Sequence, residues 1–285
     1  MMQELDIGLP KCYKAAYYDI GSKNLLITFT PSNGFFLYHS KISANKLCIA
    51  STTPNYYIFN PGSACKKIID FIKDKAIENI ICLGSSKAGL ASILWGQILY
   101  EKLKNTHNVF VLSFSPQSKL YPFNENLYFP SYKQMWKTAQ VDNDLNKCLI
   151  NYGDVNLVLK DSDIPGMIIY PEHNMTDKLE AERIVAKNIR LIPLKNYPLH
   201  GSFLPFMPQA QDNVKLKSMV KKLYENALKD DDVKATLPSS EYEILKLIKL
   251  INAPNIENLI DAIFFKIGNE EHLNNLKKMQ DSGFL

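Results

Sequence analysis

Ser86 lies in Gly84-Ser85-Ser86-Lys87-Ala88-Gly89, directly after the apolar run Ile80-Ile81-Cys82-Leu83. An apolar run of strand length that ends at Gly and passes through small residues into a helical pattern predicts a sharp strand-to-helix turn. One residue is then held at its tip, the layout of a nucleophile elbow written Gly-x-Ser-x-Gly. Gly84, Ser86 and Ala88 occupy that pattern, with Gly89 next. The small residues let the strand and helix backbones approach and leave the tip residue in an uncommon conformation. A serine hydroxyl is a weak nucleophile near neutrality. It needs a base to take its proton and an acid to orient that base.

Both partners are available in the order that a parallel α/β sheet supplies, serine, then acid, then histidine, each after its own strand. His200, in Leu199-His200-Gly201-Ser202, is the candidate base, because imidazole accepts and returns protons near neutrality. His173 is a rival that sits in the acid loop, and His39, His107 and His272 lack supporting context. Asp177 is the preferred acid and Glu172 the alternate; both follow the apolar run Met167–Tyr170. Asp177 also reads as a helix N-terminal charge and Glu172 as a loop acid. The oxyanion of an acyl-transfer intermediate needs fixed donors. The backbone N–H of Lys87 is one candidate, and the loop after Leu25–Phe29, at Thr30 or Ser32, should supply the second. Pro31 has no N–H and cannot. The Lys87 side chain is either solvated or lines the mouth of the site, where it would favour anionic substrates.

These residues need a scaffold, and the hydrophobic pattern provides one. Asn24–Thr30, Ile80–Leu83, Asn108–Ser115, Pro165–Pro171 and Ile189–Leu194 read as strands, several of them nearly continuous in Val, Ile and Leu. Helical spacing appears at Cys65–Lys75, Leu90–Lys104 and Asp177–Ala186. Alternation of this kind predicts an α/β fold, a doubly wound and mostly parallel sheet covered on both faces, with the elbow strand central. Phe35–Tyr38, Lys46–Ala50 and Tyr56–Phe59 are shorter extended candidates. The aromatic- and Pro-rich stretch 118–139 shows no clear period and reads equally as an aromatic packing segment or as part of a lid or insertion beside the site over 118–150. After Asp212 the pattern is helical only, at Val214–Leu228, Glu241–Ile251, Ile256–Ile267 and Glu271–Gln280. The expected organisation is a catalytic domain over 1–205 and a helical C-terminal extension over 206–285. That extension would serve packing, homo-oligomer contact or partner docking.

Bulk properties narrow the function class. A hydrophobic content of 46% with 22% charged residues is that of an ordinary globular protein. The formal net charge of +4 over 285 residues gives no reason to propose nucleic acid as a partner. No apolar run reaches bilayer length, and the N-terminus carries acids without a basic-then-apolar signal segment. Five scattered cysteines, with no Cys-x-x-Cys pair, point to a reduced, cytoplasmic protein. No metal-ligand spacing or dinucleotide-type Gly-rich loop is present, so no cofactor is expected.

Gly84-Ser85-Ser86-Lys87-Ala88-Gly89 followed by Leu112-Ser113-Phe114-Ser115-Pro116-Gln117 resembles a bacterial branch of the α/β-hydrolase superfamily. That branch shows Gly-Ser-Ser-Met-Gly-Gly, a strand ending Phe-Ser-Pro-Gln, an Asn-x-x-Asp segment and a final His. Asn174 to Asp177 and His200 match the last two features. Its members occur among capsule and surface-polysaccharide proteins, and related secretion-accessory proteins resemble O-acyltransferases or esterases acting on glycans. The resemblance spans roughly Asn24 to Phe203 and departs at Lys87 and Ala88. It supports Asp177 as the acid and says little about the substrate, because one fold hosts many chemistries; a small-molecule or glycan ester is expected. Two expectations result: a serine esterase or O-acyltransferase working through an acyl-enzyme, or a silent hydrolase-fold scaffold that binds within a polysaccharide assembly system.

Overall fold

The computed structural model describes residues 4–31, 34–195, 197–207, 213–227, 243 and 254–267. Eight strands form one sheet: β1 (Glu4–Leu5), β2 (Tyr13–Tyr18), β3 (Asn24–Thr30), β4 (Asn45–Ser51), β5 (Asn79–Ser85), β6 (Asn108–Phe114), β7 (Gly166–Pro171) and β8 (Ile189–Leu194). Their spatial order is β1-β2-β4-β3-β5-β6-β7-β8. The pairs β1–β2 and β2–β4 are antiparallel, and all pairs from β4 to β8 are parallel. The chain therefore has an α/β fold with a doubly wound, mostly parallel sheet, and the elbow strand β5 lies between β3 and β6.

Register explains why these strands are apolar on both sides. Leu26, Ile81 and Phe110 stand side by side, as do Ile27, Cys82 and Val111. Successive residues of a strand face opposite ways. The Ile27 row belongs to the core cluster that also holds Ile68 of helix α1 (Pro61–Ile72) and Trp95 of α2 (Lys87–Leu103). The Leu26 row belongs to the cluster of the other face, with Phe203 and Phe206. Val220 of α7 (Asn213–Ala227) and Ile256, Leu259, Ile260, Ile263 and Phe264 of α8 (Ile256–Ile267) join that second cluster. It thus combines strands from before residue 205 with helices from after it. The expected helices Glu241–Ile251 and Glu271–Gln280 fall on positions of which at most one is described.

The stretch 118–150 carries more regular structure than its sequence pattern implies. After an irregular course come α3 (Pro130–Ala139), α4 (Asn143–Tyr152) and the short α5 (Val155–Val158). In α3 the buried residues Tyr132, Met135 and Ala139 do follow helical spacing, and Pro130 stands in the first turn, where its missing N–H costs nothing. Flanking aromatics mask that period. The extended candidates Phe35–Tyr38 and Tyr56–Phe59 are turns, with Leu37, Tyr56 and Tyr57 at positive φ. Their apolar side chains are used in packing: Tyr57 is fully buried and stacks on Tyr13. Pro61 and Gly62, which read as a turn, open α1, and α6 (Met175–Glu182) starts before Asp177. Strand β2 has no counterpart in the predicted elements.

Candidate active site

Three segments converge at the carboxyl end of the sheet. The first is the elbow. Ser86 has φ 59° and ψ −127°, a region that costs a residue with a Cβ about 1–3 kcal/mol. Neighbouring contacts enforce it. The Ser86 N–H donates to the Phe114 carbonyl at 2.9 Å, and the Ser86 carbonyl accepts from the Gly89 N–H at 2.8 Å. Gly84 has no alternative: a Cβ there would lie 1.8 Å from the Ala88 carbonyl oxygen. At Gly89 a Cβ would sit 2.9 Å from Ser113 Oγ and 3.0 Å from Pro116 Cα, so α2 is drawn close to the end of β6. Ala88, where the motif has Gly, is fully buried.

The second segment carries the acid. Asn174 caps α6, its side-chain oxygen accepting from the Asp177 N–H at 3.1 Å. The Asn174 amide also donates to the Pro198 carbonyl at 3.3 Å, which ties the acid helix to the histidine loop. Asp177 is 1% exposed. The third segment is that loop. Gly201, at φ 95°, lets the chain turn after His200. The Ser202 hydroxyl donates to the Ile169 carbonyl at 2.9 Å and accepts from the Ser115 hydroxyl at 2.8 Å. The ends of β6 and β7 and the histidine loop are thereby stitched together.

The result is a continuous relay. His200 Nε2 lies 2.9 Å from Ser86 Oγ, and His200 Nδ1 lies 2.7 Å from Asp177 Oδ1. A carboxylate only accepts, so Nδ1 carries the proton and Nε2 is free to accept from the serine hydroxyl. The Phe129 ring lies against the imidazole, centroids 4.5 Å apart. Glu172, the alternate acid, is half-buried at the end of β7, its N–H donating to the Leu194 carbonyl; His200 Nδ1 is engaged by Asp177 instead. His173 is exposed.

On the oxyanion side the first residue of α2, Lys87, has a backbone N–H with no carbonyl four residues back within the helix. Thr30 does not match its expected role: its N–H donates to the Tyr57 hydroxyl at 3.2 Å, because that hydroxyl fills the gap where β3 and β4 end, donating in turn toward Thr30 O at 2.8 Å. Ser32 lies outside the described residues.

Gln117 was not among the expected site residues, although its motif was noted. Its side-chain amide donates to Ser86 Oγ at 2.9 Å, and its Oε1 is buried without a partner. Its signal was positional: it follows Pro116 at the end of the strand beside the elbow. An amide donor this close to the serine oxygen is within reach of the oxyanion that would form on a carbonyl bonded to it. Gln117→Ala should lower kcat for an activated ester by about 10–100-fold with a smaller effect on KM, read by steady-state kinetics. An unchanged kcat would show the contact to be structural only.

Other chemistry is less well placed. All five cysteines are free, four of them buried, and burial pushes the Cys48 thiol up to about 11 and raises the Cys65 and Cys82 thiols well above their ordinary range. Such thiols stay protonated and inert. Among the described residues no three His, Cys, Asp or Glu side chains group as a metal site, and no helix is long and apolar enough to cross a membrane.

No family model matches the chain, and no curated protein matches it. Solved structures do. An esterase B from Lactobacillus rhamnosis is similar at 12% identity, covering 81% of this chain and 91% of that one, with a TM-score of 0.47. An esterase from Pyrococcus furiosus is similar at 15% identity over 79% of this chain and 91% of that one, with a TM-score of 0.44. A 2,6-dihydroxy-pseudo-oxynicotine hydrolase is similar at 13% identity over 68% of this chain, with a TM-score of 0.46; the chain spans 60% of that protein's length. Likeness at this level bears on neither reaction nor substrate.

Proposed function

We propose that the protein is a serine-dependent acyl-transfer enzyme, an esterase or O-acyltransferase. The observation that carries this reading is the relay of Ser86, His200 and Asp177, with both contacts under 3 Å on a strained elbow. Ser86 Oγ attacks the ester carbonyl as His200 Nε2 takes its proton, and Asp177 stabilises the imidazolium. The Lys87 N–H and the Gln117 amide, which donates to Ser86 Oγ, would supply donors for the oxyanion of the attacked carbonyl. Collapse of the tetrahedral intermediate expels the alcohol, which receives the proton from His200, and leaves an acyl-serine. Water, or an acceptor hydroxyl deprotonated by His200, then takes the acyl group and restores the serine. Water as acceptor makes the enzyme an esterase; a sugar hydroxyl makes it an O-acyltransferase.

A glycan or polysaccharide precursor is the substrate class proposed, in keeping with the motif resemblance and with a cavity beside the elbow walled by Thr30, Ser51 and Ser131. A lipase-like channel has less support, because Tyr121, Phe123, Tyr132 and Trp136 pack their rings against one another. Free, buried thiols suit a reducing compartment such as the cytoplasm. The test is reaction with a fluorophosphonate followed by peptide mapping. Ser86 should be the modified residue, at a rate that falls when His200 is replaced by Ala. Modification elsewhere, or none, would refute the reading.

A further inference from the structure

A cavity of about 210 Å³ opens on the β3–β4 side of the elbow. Thr30 and Ser51 at the strand ends, Lys87, and Ser131 and Gln134 of α3 are among the residues that line it. It is smaller than the roughly 300–1,000 Å³ of a pocket that encloses a whole ligand. It has room for one substituent of a small molecule and adjoins the elbow through Lys87, the residue after Ser86. Hydroxyls, an amide and one ammonium share its walls with the rings of Pro31 and Pro54, and among the described residues no carboxylate lines it.

The ammonium is the informative part. Lys87 is half-buried, and among the described residues its side chain has no ion pair and no hydrogen bond. Burial lowers its pKa, and no neighbouring acid offsets that effect. An ammonium kept partly out of water without a counter-charge is costly, and such groups cluster where a ligand brings the missing charge. Lys87 lines a recess whose walls also carry hydroxyl and amide donors. The Ser131 hydroxyl, 2.9 Å from the Tyr56 hydroxyl, is held in place to serve as one of them.

We infer that the ester processed at Ser86 carries an oxyanionic substituent, a carboxylate or phosphate, that seats in this cavity against Lys87. This rests on the serine-esterase reading and adds to it the charge of the substrate. Lys87 then has two duties: its backbone N–H faces the reacting carbonyl, and its side chain selects the substrate. The sugar acids and phosphorylated sugars of surface glycans have the required chemistry, as do simple dicarboxylic half-esters.

Two matched ester pairs test the inference. 4-Nitrophenyl hemisuccinate against its methyl ester places the charge on the acyl side. 3-Acetoxybenzoate against its methyl ester places it on the leaving alcohol. In at least one pair, kcat/KM for the anionic member should exceed that for the neutral one by about tenfold, the scale of one charge-assisted hydrogen bond. The ratio should shrink as salt is raised. It should fall by about tenfold in Lys87→Met and survive in Lys87→Arg; because it is taken within each variant, a general change in turnover cancels. Neutral esters preferred in both pairs by the native enzyme, or a ratio unmoved by Lys87→Met, would overturn it. Fluorophosphonate modification of Ser86 separates the failures. A modified Ser86 without anion preference removes this inference alone, and an unmodified Ser86 removes both.

Discussion

Ser86→Ala should lower kcat for a small activated ester by about 10⁶-fold, the scale on which loss of a serine nucleophile acts when the rest of the relay remains. The protein should still fold. Alanine keeps the Cβ, so the elbow experiences the same backbone strain at φ 59°, and the Ser86 N–H bond to Phe114 is a main-chain contact. What is lost is the hydroxyl that accepts from Gln117 and faces His200. Their pairing with each other or with water limits the cost to about 1 kcal/mol. Stopped turnover with an unchanged unfolding transition is the expected pair of results. Retained turnover would remove Ser86 as the nucleophile.

Asp177→Asn is the second large effect. The asparagine has the shape of the acid but not its charge. With its carbonyl toward His200 it keeps the imidazole in the right tautomer and loses the stabilisation of the imidazolium. With its NH₂ toward His200 it also favours the wrong tautomer. The expected loss in kcat is therefore about 10²–10⁴-fold, with KM little changed. Asp177 is buried and its Oδ2 has no partner, so the new amide must place an unpaired group in that position, and stability should fall by about 1–3 kcal/mol. Glu172→Gln is the matched control: the Glu172 side chain does not engage the imidazole, so its kcat should stay within about twofold of native. A large loss in Glu172→Gln with a small one in Asp177→Asn would reverse the assignment.

The parts of this site that sequence revealed are those written in local pattern. A continuous apolar run followed by Gly and small residues needs only nearest-neighbour sterics to be read as an elbow, and the Gly84 clash with Ala88 is that same steric argument made concrete. The order of acid and histidine follows from parallel-sheet topology, which strand–helix alternation discloses. What stayed hidden depends on distant contacts. Thr30 stands beside the elbow as expected, but the Tyr57 hydroxyl, 27 residues away, claims its N–H. Gln117 reaches Ser86 across two neighbouring strands, a contact with no periodicity to announce it. The turns at Phe35–Tyr38 and Tyr56–Phe59 misread as strands because large aromatics look alike whether they pack from a strand or from a loop at positive φ.

The helix that carries Asp177 also carries Glu180, one turn on, and Glu180 is almost fully buried. Its carboxylate accepts from the Ser118 and Lys119 N–H groups and from the Asn124 amide, at 2.8, 3.0 and 2.8 Å. The root of the aromatic segment is thus bolted to the same rod as the acid. Swinging that segment outward would strip a buried charge of its donors and drag the relay out of line. The same segment supplies Ser131 and Gln134 to the recess that Lys87 lines, so the anchor at Glu180 also sets one side of that recess.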